Sequence, residues 1–197
     1  MVMPHPDQLK WDQRYKAKQA EPRPARVLLD NAHLLPAGGG TALDLACGIG
    51  GNALFLAERG FKVTAWDISP VAIDLLQQHA QKKNLQLQTE ARDVLTQAPA
   101  ANQFDLIVIS YFLERTLTQA IIKALRHDGL LFYQTFSHTR LHGRGPQDPV
   151  FRLKENELLQ LFAPLTVRYY REEGSCGDTT QGLRDEALLV AQKNGDW

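Results

Sequence analysis

The chain alternates short apolar runs with stretches in which apolar residues recur three or four positions apart, and this alternation predicts strands and helices in turn. The rhythm is regular from Thr41 onward. TALDLA reads as a buried strand, NALFLAERG as a helix punctuated by Gly60, and KVTAWD as a second strand. Ser69-Pro70 starts a long helix whose apolar side carries Val71, Ile73, Leu75, Leu76 and Ala80, with Asn84 as its stop. LQLQTEARD alternates apolar and polar positions and predicts a third strand. FDLIVISYF is apolar without alternation, as expected of a central strand covered on both faces. A helix over 115–126, ending at His127-Asp128-Gly129, leads to a fifth strand, GLLFYQTF.

Both ends depart from this rhythm. The polar start through Lys18 places Leu9, Trp11 and Tyr15 at the spacing of a short surface helix, which Pro22 and Pro24 break. A second short helix, Ala25 to Leu34, stops near Pro36 and the run Gly38-Gly39-Gly40. After the fifth strand come a Gly/Pro/His/Arg-rich loop (137–149), a helix from Lys154 to Phe162, and two strands, LTVRYYREE and EALLVAQK. Only a glycine-bearing turn region separates these two, so they are antiparallel; a parallel crossover needs about a dozen residues and usually a helix. Five strand–helix units closed by an antiparallel pair predict an α/β three-layer sandwich in one domain. Its parts are an N-terminal helical cap (1–36), a ligand-binding core (41–136), a substrate-side loop (137–154) and a C-terminal helix with the antiparallel strands (155–197).

Composition narrows the classes of function. A chain of 197 residues can bury a real core without a metal or disulfide staple. The 22 basic and 22 acidic side chains cancel, which removes the overall electrostatic reason for a nucleic acid or an anionic membrane as partner. Cys47 and Cys176 have neither zinc-site spacing nor the number needed for a disulfide framework, and read as reduced thiols. Pro, Asp, Lys and Arg occupy the N-terminus where a signal peptide needs an apolar stretch, and no run of about 18 apolar residues occurs, so a cytoplasmic protein is expected.

The candidate chemistry lies at the end of the first strand. Ligands of open α/β sheets sit beyond the strands' C-terminal ends, where Gly48 and Gly50 let the backbone turn sharply and approach a ligand. Asp67 ends the second strand 19 positions after Gly48, where a carboxylate accepts hydrogen bonds from both hydroxyls of a ribose. Gly48-Ile49-Gly50-Gly51-Asn52-Ala53 also satisfies the dinucleotide pattern G-x-G-x-x-G/A, so this motif alone leaves NAD and S-adenosylmethionine both open. Asp44, inside the first strand, favours the latter: negative charge has no use beside a pyrophosphate, whereas a sulfonium cofactor with an amino group matches it. Asp93, in ARDVL, is placed either to accept from an adenine amine or to cap the following segment. The antiparallel ending also differs from that of a parallel dinucleotide sheet.

From about Trp11 to Phe136 the sequence resembles class I S-adenosylmethionine-dependent methyltransferases. LDLACGIGGNALFLAERGFKVTAWDIS is similar to the form found in the tellurite-resistance type and related small-molecule methyltransferases. The resemblance implies a Rossmann-like seven-stranded sheet in the order 3-2-1-4-5-7-6 with strand 7 antiparallel. It implies that Asp44, Ala46, Cys47, Gly48 and Gly50 cradle the methionine part of S-adenosyl-L-methionine, that Asp67 and Ile68 hold the ribose and flank the adenine, and that Asp93 and Val94 bind the adenine edge. Ser110 would lie near the transferable methyl. Trp11, Arg14 and Tyr15 resemble a W-x-x-R-Y start that closes over the cofactor, with Arg14 suited to pair with its carboxylate.

Methyl transfer from a sulfonium needs an oriented nucleophile and a dry site more than a catalytic signature. A thiolate, selenol or oxyanion needs no base, while a phenol or carboxylic acid needs help with one proton. Ser110-Tyr111-Phe112-Leu113 stands where an Asn-Pro-Pro-Tyr stretch would mark amino-group methylation of bases or of protein Gln. Segment 137–154 sets Arg140, Arg144, Arg152 and Lys154 against Asp148 alone, which reads either as a solvated loop or as a lid for an anionic acceptor. Tyr111, Arg140 and His138 are the catalytic candidates, although an aromatic residue at the position of Tyr111 also serves as pocket wall. His138 and His142 lie in a Gly/Pro-rich stretch and do not form a helical metal pair, so no metal is expected. Glu114-Arg115 reads as a helix-start charge pair, and Cys47 as a small apolar pocket residue. The expected protein methylates sulfur, selenium, tellurium or oxygen of a small anionic or polar acceptor and releases S-adenosyl-L-homocysteine. The alternatives are a non-catalytic S-adenosylmethionine-binding regulator and an NAD-dependent oxidoreductase.

Overall fold

Seven strands, β1 (Thr41–Leu45), β2 (Lys62–Asp67), β3 (Gln88–Ala91), β4 (Phe104–Ser110), β5 (Leu125–Phe136), β6 (Thr166–Arg171) and β7 (Glu186–Gln192), form one sheet in the computed structural model. Their order is β3-β2-β1-β4-β5-β7-β6. The first five pair in parallel, and β7 runs antiparallel to both β5 and β6. The architecture is therefore the Rossmann-like sandwich expected from the sequence, down to the strand order that the resemblance implied. The structure describes residues 5–17 and 21–195; the part of the N-terminal reading that falls on residues 1–4 and Lys18, and the last two residues, lie outside them.

Period-2 geometry divides the strand side chains between two cores. Leu106 and Val108 of β4 join Ala42 and Val63 under α2 (Arg26–Asp30), α3 (Gly51–Ala57) and α4 (Pro70–Lys82). Ile107 and Ile109 join Leu43 and Leu45 on the other face, packed by α5 (Thr118–Ala124) and α6 (Glu157–Leu161). The central strand is buried on both sides because its sequence is apolar at every position that either core requires. Ser69 caps α4, accepting from the Ala72 N–H at 3.2 Å, and Pro70 takes the first helical position.

Three expectations are corrected. The third strand is confined to Gln88–Ala91, since Leu85 and Leu87 instead pack against the α4 side of the core before the ladder begins. The helix expected over 115–126 is a 3-10 turn (Arg115–Leu117) followed by α5, which ends at Ala124 because Leu125 already pairs with Phe104. No helix joins β3 to β4. There Asp93 organises a turn, accepting from the Leu95 N–H at 2.9 Å while its carbonyl accepts from the Gln97 N–H at 3.0 Å. Helices thus follow β1, β2, β4 and β5 only.

Beyond the strand ends, loops are held by buried charges. Asp185, at a left-handed φ of 65°, accepts from the backbone N–H groups of Leu141 (2.6 Å), His142 (3.0 Å) and Arg144 (3.0 Å). Burial pushes its carboxyl upward, but these N–H groups outweigh that and hold it below its ordinary value. Arg152 complements it, donating to the carbonyls of Ser137 (2.7 Å), Arg144 (2.8 Å) and Pro146 (2.9 Å). Arg184 does the same for the loop before β7, reaching the carbonyls of Gly174, Cys176, Asp178 and Gln181. Asp185→Ala leaves these partly buried N–H groups without their acceptor and should lower unfolding free energy in urea by about 1–3 kcal/mol, since each lost hydrogen bond to a charged group costs roughly 1 kcal/mol; a loss under about 0.5 kcal/mol would show that the loop is not held this way.

Candidate functional site

The chain turns sharply where β1 ends. Ala46, Gly48 and Gly50 all adopt positive φ (56°, 53° and 84°). The Cys47 N–H donates to the Trp66 carbonyl at 2.9 Å and the Gly48 N–H to Asp67 Oδ2 at 2.8 Å, tying the turn to β2. A side chain at Gly50 would put its Cβ 2.0 Å from Leu76, and one at Gly48 would meet the Tyr15 hydroxyl at 2.9 Å. Glycine is therefore demanded twice, once by packing beneath the turn and once by close approach above it. Cys47 is buried, and burial pushes its thiol up, which suits a pocket-wall residue and not a nucleophile.

Two carboxylates flank the turn. Asp44 is fully buried, with Oδ2 accepting from the Ala53 N–H at 2.9 Å and Oδ1 3.3 Å from Asn52 Nδ2. Asp67 is nearly as buried; its Oδ1 accepts from the Ser69 N–H at 2.9 Å. Among the described residues, neither has a Lys or Arg ion-pair partner. Burial pushes Asp44 up to about 7 against the opposing hydrogen bonds from Asn52 and Ala53, with Asp67 adding repulsion. Asp67 is raised for the same first reason, and its bonds from Ser69 and Gly48 offset part of that. Buried negative charge without a counter-ion is the electrostatic signature of this edge.

Helix α1 (Pro6–Lys16) lies over it. Asp12 accepts from the Ser69 hydroxyl at 2.5 Å, which fastens the helix to the start of α4. Trp11 and Tyr15 stack with ring centroids 5.8 Å apart, and burial together with Asp67 and Cys47 raises the Tyr15 hydroxyl far above its ordinary pKa. Lys10 bridges outward, its ammonium 5.8 Å from the Phe151 ring. Arg14 is exposed, with its guanidinium 5.1 Å from the Trp11 ring.

A second cluster stands beside the first. Asn52 Nδ2 lies 3.0 Å from Ser110 Oγ, and the next residue, Tyr111, takes a left-handed φ of 57°, a costly conformation for an aromatic residue. The Tyr111 ring packs on Phe136 at 5.0 Å and its hydroxyl donates to Glu186 Oε2 at 3.2 Å. Gln134 Nε2 donates to the same hydroxyl at 2.9 Å and to Glu186 Oε2 at 2.5 Å, while its Oε1 accepts from the Val27 N–H at 2.8 Å. Glu186 is 1% exposed, and its Oε1 forms an ion pair with Arg144 at 2.8 Å.

Residues 42–129 match the methyltransferase domain family. The protein described as the probable S-adenosyl-L-methionine-dependent methyltransferase TehB of Haemophilus influenzae is 36% identical over 87 residues, covering 43% of this chain and 30% of that one. The ubiquinone biosynthesis O-methyltransferase of Actinobacillus pleuropneumoniae is 30% identical over 111 residues, covering 51% and 47%. The crystal structure of TehB from Haemophilus influenzae superposes with a TM-score of 0.71 at 22% identity, covering 93% of this chain and 67% of that one. The chain is thus similar to methyltransferases over residues 42–129, and its fold is that of the TehB structure. It spans less than half the length of the two curated relatives just described.

Within the matched segment, Asp44, Ala46, Cys47, Gly48, Gly50 and Asp67 come together at the turn. Ile68 is half-buried beside Asp67, and Val94 is buried after the Asp93 turn. The cationic loop looks different from its sequence. Arg152 is interior and spent on carbonyls, Arg144 is neutralised by Glu186, and Arg140 donates to the Gly143 carbonyl of its own loop at 3.0 Å. His138 is exposed, and no group of His, Cys, Asp or Glu among the described residues is arranged to hold a metal. Arg115 pairs with Glu157 at 2.6 Å, and Glu114 instead caps the Thr116 N–H at 3.0 Å, which corrects the expected charge pair.

Asp12, Asn52, Gln134 and Glu186 were not singled out in the sequence. For Gln134 and Glu186 the signal was a polar residue in an otherwise apolar strand, GLLFYQTF and EALLVAQ. Removing the helix latch by Asp12→Ala should raise local opening of α1 by roughly 10- to 100-fold, as expected for a hydrogen bond to a charged group. Hydrogen exchange of the α1 amides measures this; unchanged protection would mean that packing alone holds the helix.

Proposed function

We propose that this site binds S-adenosyl-L-methionine and that the protein transfers its methyl group to a small-molecule acceptor, releasing S-adenosyl-L-homocysteine. The observation that carries this reading is the pair of buried carboxylates, Asp44 and Asp67, with no ion-pair partner among the described residues. A ligand with a positive amino group and sulfonium supplies the missing charge, whereas a pyrophosphate would add more of the same sign. The donor set fits such a ligand. Asp67 keeps lone pairs for the ribose hydroxyls, with Ile68 against the adenine and Asp93 and Val94 at its edge. The turn from Asp44 to Gly50 takes the methionine part, Arg14 its carboxylate, and Ser110 and Asn52 border the methyl.

The cofactor supplies an activated methyl carbon, so the chain's work is orientation and exclusion of water. Tyr15 and Trp11 on α1 cover the turn, and Asn52 fixes Ser110 relative to Asp44. The acceptor belongs on the Tyr111 side, and oxygen or a sulfur-group atom is its reacting centre. The likeness to a ubiquinone biosynthesis O-methyltransferase supports an oxygen acceptor. Among the described residues no helix is long and apolar enough to cross a membrane, which agrees with a cytoplasmic enzyme acting on a small polar molecule.

Calorimetric titration tests the cofactor. S-adenosylmethionine and S-adenosylhomocysteine should bind with about micromolar Kd, NAD should not, and Asp67→Ala should lose binding. Proton linkage adds a second check. Asp44 is raised to about 7 in the free protein, so a cationic ligand that favours the carboxylate releases a proton on binding below that pH. Affinity for S-adenosylmethionine should therefore fall as pH falls, by about tenfold from pH 8 to pH 6, and Asp44→Asn should flatten the dependence. Binding of NAD alone would overturn the reading.

A further inference from the structure

The cluster around Tyr111 has a fixed direction of hydrogen bonding. Gln134 cannot flip its amide, because Oε1 is held by the Val27 N–H and Nε2 must donate. Tyr111 Oη therefore accepts from Gln134, and its own proton points to Glu186 Oε2, which as a carboxylate oxygen only accepts. Two of the three hydrogen-bonding positions of the hydroxyl are thus assigned. The third is within reach of Arg144, an exposed side chain ion-paired with Glu186 Oε1 without hydrogen-bond geometry, so an incoming X–H group competes only with that contact.

Tyr111 is 42% exposed, whereas Glu186 behind it is 1% exposed. Glu186 Oε2 faces Tyr111 and Gln134 and its Oε1 faces Arg144, so a molecule bound on the Tyr111 side meets Glu186 through the tyrosine hydroxyl. The left-handed backbone at Tyr111 follows directly on Ser110, at the end of the central strand, and this strained geometry turns the side chain toward Phe136 and β7. Burial and the neighbouring carboxylate raise the Tyr111 hydroxyl to about 12, so it stays protonated and serves as a conduit, not as a standing phenolate.

We propose that Tyr111 takes the acceptor's proton while passing its own to Glu186, and that the acceptors of this site are accordingly thiol or hydroxyl compounds that arrive protonated. The inference rests on the methyl-transfer reading. In the step, the acceptor's sulfur or oxygen forms its bond to the methyl carbon as the carbon–sulfur bond of the sulfonium breaks, with the bonding pair going to that sulfur. The acceptor's proton moves to Tyr111 Oη and the tyrosine proton to Glu186 Oε2, so Tyr111 is neutral before and after. Glu186 later returns the proton to water on the Arg144 side. Tyr111 is the catalytic residue here, while Glu186 and Gln134 position it and receive its proton.

Two matched probe pairs test this near pH 8, where thiophenol and 4-nitrophenol are ionised but benzyl mercaptan and phenol are not. In Tyr111→Phe and in Glu186→Gln, turnover of each protonated probe relative to its ionised counterpart should drop about a hundredfold, the scale of one general-base contribution. A structural role would lower both members of a pair equally and leave that ratio unchanged. Without turnover, the S-adenosylhomocysteine-loaded protein should bind phenol about tenfold more weakly after Tyr111→Phe, the loss of one hydrogen bond. Equal losses within each pair overturn the relay, as does a wild-type protein that binds S-adenosylmethionine and methylates only the ionised probes or none. A wild-type protein that fails to bind S-adenosylmethionine overturns the methyl-transfer reading instead.

Discussion

Asp44 is wholly out of water with no ion-pair partner among the described residues, and much of the functional edge follows from how that charge is tolerated. A buried carboxylate must gather donors, give up its negative charge or wait for a positive ligand. Asp44 gathers the Ala53 N–H in the first turn of α3 and the side-chain amide of Asn52, and these are not enough to return it to its ordinary acidity. Asp185 shows the contrasting solution a short distance along the same edge. Three backbone N–H groups satisfy it, its acidity is strengthened, and it calls for no ligand. The difference between an unsated and a sated carboxylate separates a binding group from an architectural one.

The two clusters meet through short polar links. Asn52 touches Asp44 and Ser110, and its Oδ1 accepts from the Ala25 N–H at 2.8 Å, so the segment before β1 is registered against the turn after it. Gln134 repeats the device one strand further along, holding Val27 on one side and the Tyr111–Glu186 pair on the other. The α2 segment, remote in sequence from both, is therefore the common anchor of the cofactor side and the acceptor side.

The sheet was legible because its cause is local. Unbroken apolar runs and glycine punctuation are set residue by residue, and even the antiparallel ending followed from the lack of a helix between two strands. The glycine turn and its acids were legible as a motif, and the family resemblance gave the strand order. What stayed hidden were pairings across the sheet. Nothing near Arg144 in the sequence announces Glu186, and Arg152 reads as one more solvated charge although it is interior. The link from Asp12 to Ser69 joins residues 57 apart, and that of Tyr111 to Glu186 residues 75 apart. A charge count along the loop therefore misjudged how much of its positive potential is free.

Arg184, Asp185 and Glu186 are consecutive and all buried, yet each serves a different place: the loop before β7, the loop after β5, and the cluster at Tyr111. Three jobs are thus encoded in one tripeptide at the mouth of β7. An insertion or deletion of a single residue there would shift all three assignments at once, because neighbouring side chains of a strand point to opposite faces. The loop after β5 is accordingly not an independent cassette. Grafting it into another scaffold, or lengthening it to admit a larger acceptor, would require carrying Asp185 and Arg152 along as its mounting points.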